Sequence, residues 1–315
     1  MHGATPSPQP AVRQVEIGAE RAGQRLDNYL TTTLKGLPRS LIYRLLRTGQ
    51  VRVNGGRAKP DRRLAEGDVV RIPPVRTAER EPTAAPPRQQ LDRIEASVIF
   101  EDAHFLVIDK PSGIASHGGS GISHGAIELL RAARPREHLE LAHRLDRDTS
   151  GVLVLTRSRA ALTGVQALIR EGRTLKQYLA LLDGRPARAR FDVNAPLRKF
   201  VLQGGERMVR VSDDGKPALT FFKRIDAWRE ATLVEATLGS GRTHQIRVHA
   251  AHAGHAVAGD DKYGTREANR RFHAAGLDRL FLHASRFEFD WNGRAYCFSA
   301  PLPQGLKIVL DALPR

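Results

Sequence analysis

The chain has 315 residues, 41% of them apolar and 27% charged, enough for two domains of which at least one has a real core. Its formal net charge is +16, and Cys297 is its single cysteine, which excludes a disulfide framework and any zinc site needing two or more thiolates and suits a reducing cytosol. The opening "MHGATPSPQPAVRQVEIGAE" lacks an apolar signal core, and no run approaches a membrane span. The expectation is a cytoplasmic, monomeric protein with no membrane contact and a disordered stretch over residues 1–20.

The positive charge is clustered. Nine of the 50 basic residues are lysine, and an arginine-rich composition alone would follow from a GC-rich genome. From Arg21 to Arg71, however, 12 Lys and Arg meet four Asp and Glu, a net of +8, so half of the excess lies in about a sixth of the chain. Even drift would not concentrate it so; a localised surface for a polyanion, nucleic acid first, accounts for it.

That stretch reads as a small module over residues 21–74. Leu26, Tyr29, Leu30 and Leu34 recur at helical spacing. Gly36 and Pro38 punctuate, and Pro38 or Arg39 opens a second helix whose apolar stripe is Leu41, Ile42, Leu45 and Leu46. Arg39, Arg44 and Arg47 fall off that stripe, and Gly49 ends the helix. "VRVNGGRA", which carries Arg52, has the alternation and Asn-Gly turn of a hairpin, and "AEGDVVRI" supplies a closing turn and strand. Two short helices and a hairpin with basic residues outside resemble the S4 RNA-binding domain. The resemblance implies that Arg39, Arg44, Arg47 and Arg52 meet phosphates, which gives salt-dependent affinity with little sequence preference.

Residues 75–96 follow. "PPVRTAEREPTAAPPRQQ" holds five prolines and no periodicity, and is expected to be an extended, mobile linker. A second domain is expected over residues 97–315. "SVIF", "HFLVIDKP", "VLVLT", "TLKQYLALLDG", "ERMVRVSDDGKPALTFFKRI", "ATLVEATL" and "RLFLHASRFEFDW" read as strands or strand pairs. "RTHQIRVHAAHAG" reads as a helix capped by Thr243 and stopped by Gly254, and "LPQGLKIVLDAL" as a closing helix. Without a regular βαβ rhythm, the expected fold class is α+β with a mixed, mostly antiparallel sheet.

Chemistry is confined to a few places. No phosphate loop or dinucleotide fingerprint is present, and "HGGSG" matches neither spacing, so no cofactor is expected and a flexible loop is the simpler reading. His249, His252 and His255 are spaced by three, but Gly254 breaks the helix before His255 and no thiolate or carboxylate set completes a zinc site; no metal is expected. "HRLDRDTSG" places Asp146 and Asp148 two residues apart ahead of the apolar "VLVLT". Extended, both would face one side, about 6.5–7 Å apart at the backbone. Such a pair either shares acid–base work or consists of two arginine-paired surface aspartates, and the segment alone favours the second.

The wider chain shifts that balance. "DKPSGIASH", "HRLDRDTSGVLVL", "KQYLALL" and "GRTHQIRVH", in this order, resemble the core motifs of the RluA family of pseudouridine synthases. With the S4-like module ahead, and with "GGSGISHGAIELLRAARP" and "GERMVRVSDDGKPALT", the likeness is to the RluC type, which modifies large-subunit ribosomal RNA. It extends from about Ser97 to the C-terminus and implies a cofactor-free isomerisation in 23S ribosomal RNA, with uridines 955, 2504 and 2580 as targets. It further implies Asp146 as the catalytic carboxylate, Arg247 as its buried partner, Tyr178 as the ring packed against the target base with proton transfer at C5 as a further role, and Arg144 as the side chain that helps displace that base from its stack. Leu282 is implied in the uracil pocket. Asp148, Thr149 and Ser150 are expected to hold the loop through local backbone hydrogen bonds. Competing readings are a uracil-releasing N-glycosidase, a synthase acting on transfer RNA or other ribosomal uridines, and a non-catalytic ribosome-assembly factor.

Overall fold

Two apolar stripes on neighbouring helices build the core of the first unit. In the computed structural model, residues 11–34, 36–75, 85–119, 124–202 and 206–315 are described, and the chain divides into Met1–Ala85 and Pro86–Arg315. In the first unit β1 (Arg13–Glu16) precedes α1 (Leu26–Thr33) and α2 (Arg39–Arg47); β2 (Arg52–Val53), β3 (Gly56–Arg57) and β4 (Val69–Ile72) follow. Leu26, Tyr29, Leu30 and Leu34 close against Ile42, Leu45 and Leu46, with Val51, Val53, Val70 and Ile72 from the strands completing the cluster. The hairpin turns at Asn54 (φ 51°) and Gly55 (φ 76°), two successive left-handed residues, as the Asn-Gly pair requires. The sheet runs in the order β1-β4-β2-β3. β1 falls inside the stretch expected to be disordered, and this is a correction: Arg13–Glu16 pair antiparallel with Val69–Ile72. Residues 1–10 lie outside the described residues.

The second unit opens with α3 (Arg88–Glu95), β5 (Val98–Glu101), β6 (Phe105–Lys110), α4 (Ala126–Ala133), β7 (Glu140–Leu141), β8 (Ser150–Thr156) and α5 (Arg159–Arg170). It continues through β9 (Thr174–Asp183), β10 (Arg190–Asn194), β11 (Leu197–Val201), β12 (Arg207–Val211), β13 (Leu219–Ala227) and β14 (Ala231–Leu238). The elements α6 (Gln245–His252), α7 (Arg266–Ala274), β15 (Leu282–Trp291), β16 (Arg294–Ser299) and α8 (Gln304–Ala312) complete it. The large sheet has the order β10-β13-β14-β9-β15-β8-β6-β5, with β7 on β8 and β16 on β15, while β11 and β12 form a separate hairpin. Only β15 and β8 pair in parallel; the other pairings between named strands are antiparallel, so the α+β, mostly antiparallel expectation holds.

β8 lies between β15 and β6 and is buried along its whole length. Leu153 and Leu155 pack into one layer with α4, and Val152 and Val154 into the opposite layer with α5 and β16, which is why "VLVLT" is apolar without alternation. α3 corrects the linker expectation. Pro87 (φ −56°, ψ 138°) stands as its N-cap, and Leu91 and Ile94, three apart on one face, pack into the layer of Leu106 and Leu130. Prolines at a helix start do not oppose the helix, because the first N–H groups have no intrahelical acceptor. Residues 76–84 of the expected linker lie outside the described residues, as do residues 120–123 of the glycine-rich loop.

Two histidines, His143 half-buried and His283 fully buried, lock β8 to its neighbours. His143 accepts from the Val154 N–H through Nε2 (3.1 Å) and stacks on Phe287 at 4.6 Å. His283 donates from Nε2 to the Ala300 carbonyl (3.0 Å), so its Nδ1 accepts from the Ser150 hydroxyl (2.9 Å). Burial pushes His143 down to about 3 and His283 down to about 4. Both therefore titrate below their unfolded value of roughly 6.5. The unfolded chain takes up the extra protons, so this stability is full above about pH 6.5 and is lost as pH falls. Urea unfolding at pH 7 and pH 5 is expected to show a loss on the order of 2–4 kcal/mol from this pair. Gly151 (φ 110°) sets the close approach of β8 to β15: a Cβ there would run into the Ala284 carbonyl, whereas at Gly172 (φ 72°) a Cβ meets nothing within 4 Å. Gly151→Ala should cost about 2–4 kcal/mol and Gly172→Ala about 1 kcal/mol, read by the same titration.

Candidate active site

The loop between β7 and β8, which carries "HRLDRD", rests on the segment that follows β6. Ser116 Oγ donates to the Leu145 carbonyl (2.7 Å) and accepts from the Leu145 N–H (2.8 Å). Ser112 Oγ donates to the Asp148 carbonyl (2.8 Å), and the Gly113 N–H to the Arg147 carbonyl (2.9 Å). Lys110, wholly buried, donates to the carbonyls of Pro111 (2.8 Å), Ile114 (2.7 Å) and Arg147 (3.1 Å), tying this segment to the loop. Burial pulls the Lys110 ammonium down to about 7, with the charge of Arg279 acting in the same direction. "DKPSGIAS" is thus the bed on which the loop is set.

The loop turns at Arg147 and Asp148, where the Thr149 N–H reaches back to the Asp146 carbonyl (3.3 Å). The turn separates the two aspartates. Asp146 faces a cavity of about 350 Å³, within the usual size for a small-molecule or nucleotide pocket, and Asp148 lines a different one. Asp148 pairs with its neighbour Arg147 (3.0 Å) and is half-exposed. The expected local bonds of the next two residues do not form. Thr149 Oγ1 is buried without a partner, and the Ser150 hydroxyl reaches His283 and accepts from Arg279 (2.8 Å). The turn aims these side chains inward, toward the β8–β15 seam and the cavity, instead of along the loop.

Around Asp146 the structure brings together Arg144, Tyr178, Arg247 and Leu282, all on the cavity wall. Arg247 Nη1 lies 4.0 Å from the Asp146 carboxylate and His244 Nε2 lies 3.9 Å from it. Neither is a direct hydrogen bond, so the carboxylate oxygens remain open to a substrate. The bidentate partner of Arg247 is Asp260, which accepts from Nε (2.6 Å) and Nη2 (2.7 Å). The Tyr263 ring lies 5.1 Å from its Cζ. Burial works against the charge of Arg247, but the hydrogen bonds and charge of Asp260 outweigh it and its pKa is raised. Asp260 also accepts from the N–H groups of Lys262 (2.9 Å) and Tyr263 (3.1 Å), which fixes it in place.

His244, and not Thr243, stands at the start of α6, in the left-handed region at φ 54°. This aims its ring at Asp146. The Tyr263 hydroxyl accepts from the Val209 N–H (3.0 Å) and meets His244 Nδ1 at 2.8 Å, so it donates to Nδ1 and leaves the Nε2 proton toward Asp146. Burial lowers the pKa of His244, which favours this neutral form. Tyr178 is buried on β9, which pairs with β15 at the edge of the parallel seam, and burial, followed by the charge of Asp146, raises its pKa, so it stands as a neutral phenol. Arg144 is exposed at the cavity lip and pairs with no carboxylate among the described residues.

In the first unit Arg39, Arg44, Arg47 and Arg52 are all exposed, and none pairs with a carboxylate among the described residues. Arg44 and Arg47 share a groove with Tyr43, Arg57 and Lys59. His249 is spent in the core: Nε2 donates to the Ala195 carbonyl (3.0 Å) and Nδ1 accepts from Thr220 Oγ1 (2.9 Å). Among the described residues no group of three or more His, Cys, Asp or Glu side chains is placed to hold a metal ion.

Sequence reasoning missed His244, Asp260 and Tyr263. "GDDKYG" offers an acidic pair after a glycine, which signals a turn, but nothing in it names a partner 13 residues earlier. Asp260→Asn leaves a buried guanidinium without its bidentate partner. It should cost about 3–5 kcal/mol in unfolding free energy and depress turnover, whereas Asp261→Asn should stay within about 0.5 kcal/mol.

Comparisons with known proteins identify the two domains. The RNA pseudouridylate synthase family matches residues 104–252, and the S4 domain family matches residues 24–70. The chain is 51% identical to the ribosomal large subunit pseudouridine synthase C of Yersinia pestis over 312 residues, 97% of each chain. It is 51% identical to that of Escherichia coli K12 over 310 residues, 96% of this chain and 97% of the relative. Among solved structures, human RNA pseudouridylate synthase domain containing 1 matches with TM-score 0.56 and 25% identity, over 65% of this chain and 82% of its own. Human RNA pseudouridylate synthase domain containing 4 matches in fold with TM-score 0.59 and 23% identity, over 72% and 99%. A cavity with one open carboxylate beside a fixed guanidinium, in a chain half identical over nearly its whole length to such enzymes, places it in one family: the chain belongs to the RNA pseudouridine synthases and joins their catalytic domain to an S4 domain.

Proposed function

We propose that the enzyme isomerises uridines of large-subunit 23S ribosomal RNA to pseudouridine, with Asp146 as the reacting carboxylate. The N1–C1′ bond of uridine breaks, the uracil turns within the cavity, C5 bonds to C1′, and the C5 proton is finally exchanged for one at N1. The observation that carries this reading is the state of Asp146: it lines the cavity, accepts no direct side-chain hydrogen bond from any described residue, and lies 4.0 Å from a buried guanidinium. An ionised carboxylate free of close donors is the group such a step requires. Arg247 supplies the compensating charge, Tyr178 forms the wall against the uracil ring, Leu282 closes its apolar side, and Arg144 at the lip takes the place of the displaced base. Extrusion costs a few kcal/mol, and a planar guanidinium is suited to fill the gap.

The names of the 51%-identical relatives support ribosomal RNA of the large subunit as substrate; the three 23S uridines named above are the targets this reading proposes. In this reading residues 21–74 grip RNA, Arg39, Arg44, Arg47 and Arg52 meet phosphates, and the catalytic domain works without a cofactor, as a monomer in the cytoplasm. Among the described residues no helix is long and apolar enough to cross a membrane.

Asp146→Asn should abolish pseudouridine formation, read by nucleotide-resolution mapping of 23S RNA, while RNA affinity persists; Asp148→Asn should keep measurable turnover. Equal loss from both would remove Asp146 from its role, and loss of uracil mass from treated RNA would mark a glycosidase instead. If the basic module neutralises about five phosphates, log K should fall with log[salt] at a slope near −4 to −5, and deleting residues 1–75 should flatten it.

A further inference from the structure

We propose that Lys176 and Arg242 form a phosphate clamp in the wall of the Asp146 cavity, holding a phosphodiester that flanks the target uridine. The proposal rests on the reading that this cavity takes a nucleotide of RNA. Lys176 lies on β9 two residues before Tyr178, and both side chains are buried on the same face of the strand. Two residues of strand span about 6.5–7 Å, so Lys176 stands beside the position proposed for the uracil ring, within the reach of one nucleotide. Arg242 comes from the loop between β14 and α6 and lines the same cavity. Gly241, next to it, lies beside the ammonium: a Cβ built there would meet Lys176 Nζ at 3.6 Å, an ordinary contact.

The charges have no internal explanation. Lys176 is 7% exposed, yet its ammonium makes no hydrogen bond or ion pair with any described residue. Its charged neighbour, Arg242, has the same sign and spends its Nε on the Pro217 carbonyl (3.2 Å). His143, on the same wall, is neutral. Burial and then Arg242 lower the pKa of Lys176, so its charged form is disfavoured in the free protein. Lys176 is buried and Arg242 exposed, both face one cavity, and neither pairs with its carboxylate, Asp146. Two like charges so placed are unfavourable in the free protein, and a bound anion reverses that. The anionic groups that RNA can offer are its phosphodiesters. Uracil carbonyls and ribose hydroxyls would be served by neutral donors. The clamp is a positioning device: it holds the strand and does not touch the reacting bond.

The test is a cycle between protein and RNA. The substrate is an RNA stem-loop carrying one target uridine, with a single methylphosphonate at the linkage on its 5′ or 3′ side. The same 2′-deoxy phosphodiester linkage serves as control. With the wild-type enzyme, one of the two methylphosphonates should raise KM about 10-fold or more and leave kcat nearly unchanged, since the contact is made equally in ground and transition states. Lys176→Met should raise KM on the control RNA similarly, reduce the salt slope by about 1, and remove the methylphosphonate penalty. Its melting temperature should be unchanged or higher, because a buried unpaired charge is gone; Lys176→Arg should restore part of the affinity. Lys176→Gln provides the same cycle with a polar replacement. The proposal is overturned if neither methylphosphonate affects the wild type, if the penalty persists undiminished in Lys176→Met and Lys176→Gln, or if the variants lose kcat and melting temperature with KM intact. Failure of the wild type on the control RNA would instead count against the proposed activity.

Discussion

The site depends on a buried ion pair that does not include the catalytic candidate. Asp260 takes two nitrogens of Arg247, and its Oδ1 also accepts from the backbone N–H groups of the turn that follows. A guanidinium so fixed cannot collapse onto Asp146. It presents Nη1 at 4.0 Å, near enough to stabilise negative charge and too far to occupy the carboxylate's lone pairs. Had Arg247 bonded Asp146 directly, the carboxylate would have to break that pair before meeting a substrate. The cost of burying the arginine falls on Asp260, and Asp146 is left open.

The same separation of support from chemistry recurs beneath the loop. Lys110, Ser112, Gly113 and Ser116 all bond backbone atoms of "HRLDRD", and none of them lines the Asp146 cavity. They set the turn at Arg147 and Asp148, and the turn sends adjacent carboxylates to different cavities. On the other side, the parallel seam of β8 and β15, closed over Gly151, places Leu282 on the cavity wall. The wall built by β9 and the loop before α6 carries Lys176 and Arg242, cations that pair with no carboxylate among the described residues.

Much of the frame could be read directly. The stripe of Leu26, Tyr29 and Leu30, the Asn54-Gly55 turn and the unbroken apolar run of β8 are local signals, and each forms as its pattern requires. The motif order that placed Asp146, Tyr178 and Arg247 in one chain also placed them around one cavity. What escaped was non-local or conditional. β1 is a strand because β4 offers it an edge. α3 is a helix because Leu91 and Ile94 find a core, even though prolines precede them. The left-handed backbone of His244 contradicts the preference of a β-carbon-bearing residue, and only the Tyr263 hydroxyl and the Asp146 carboxylate explain where its ring points. Asp260 was invisible because an aspartate gains its role from the arginine it meets, and spacing alone does not name that arginine.

What Arg247 supplies is geometry: one planar group must reach Asp260 with two nitrogens while turning a third toward Asp146. Lysine keeps the charge and loses that geometry. The most direct measurement is the single-turnover rate of Arg247→Lys on an RNA substrate under saturating enzyme, together with its RNA affinity. The account predicts a fall of about 100-fold or more in the rate with affinity nearly unchanged. A rate close to that of the wild type would show that a point charge suffices, and would contradict it.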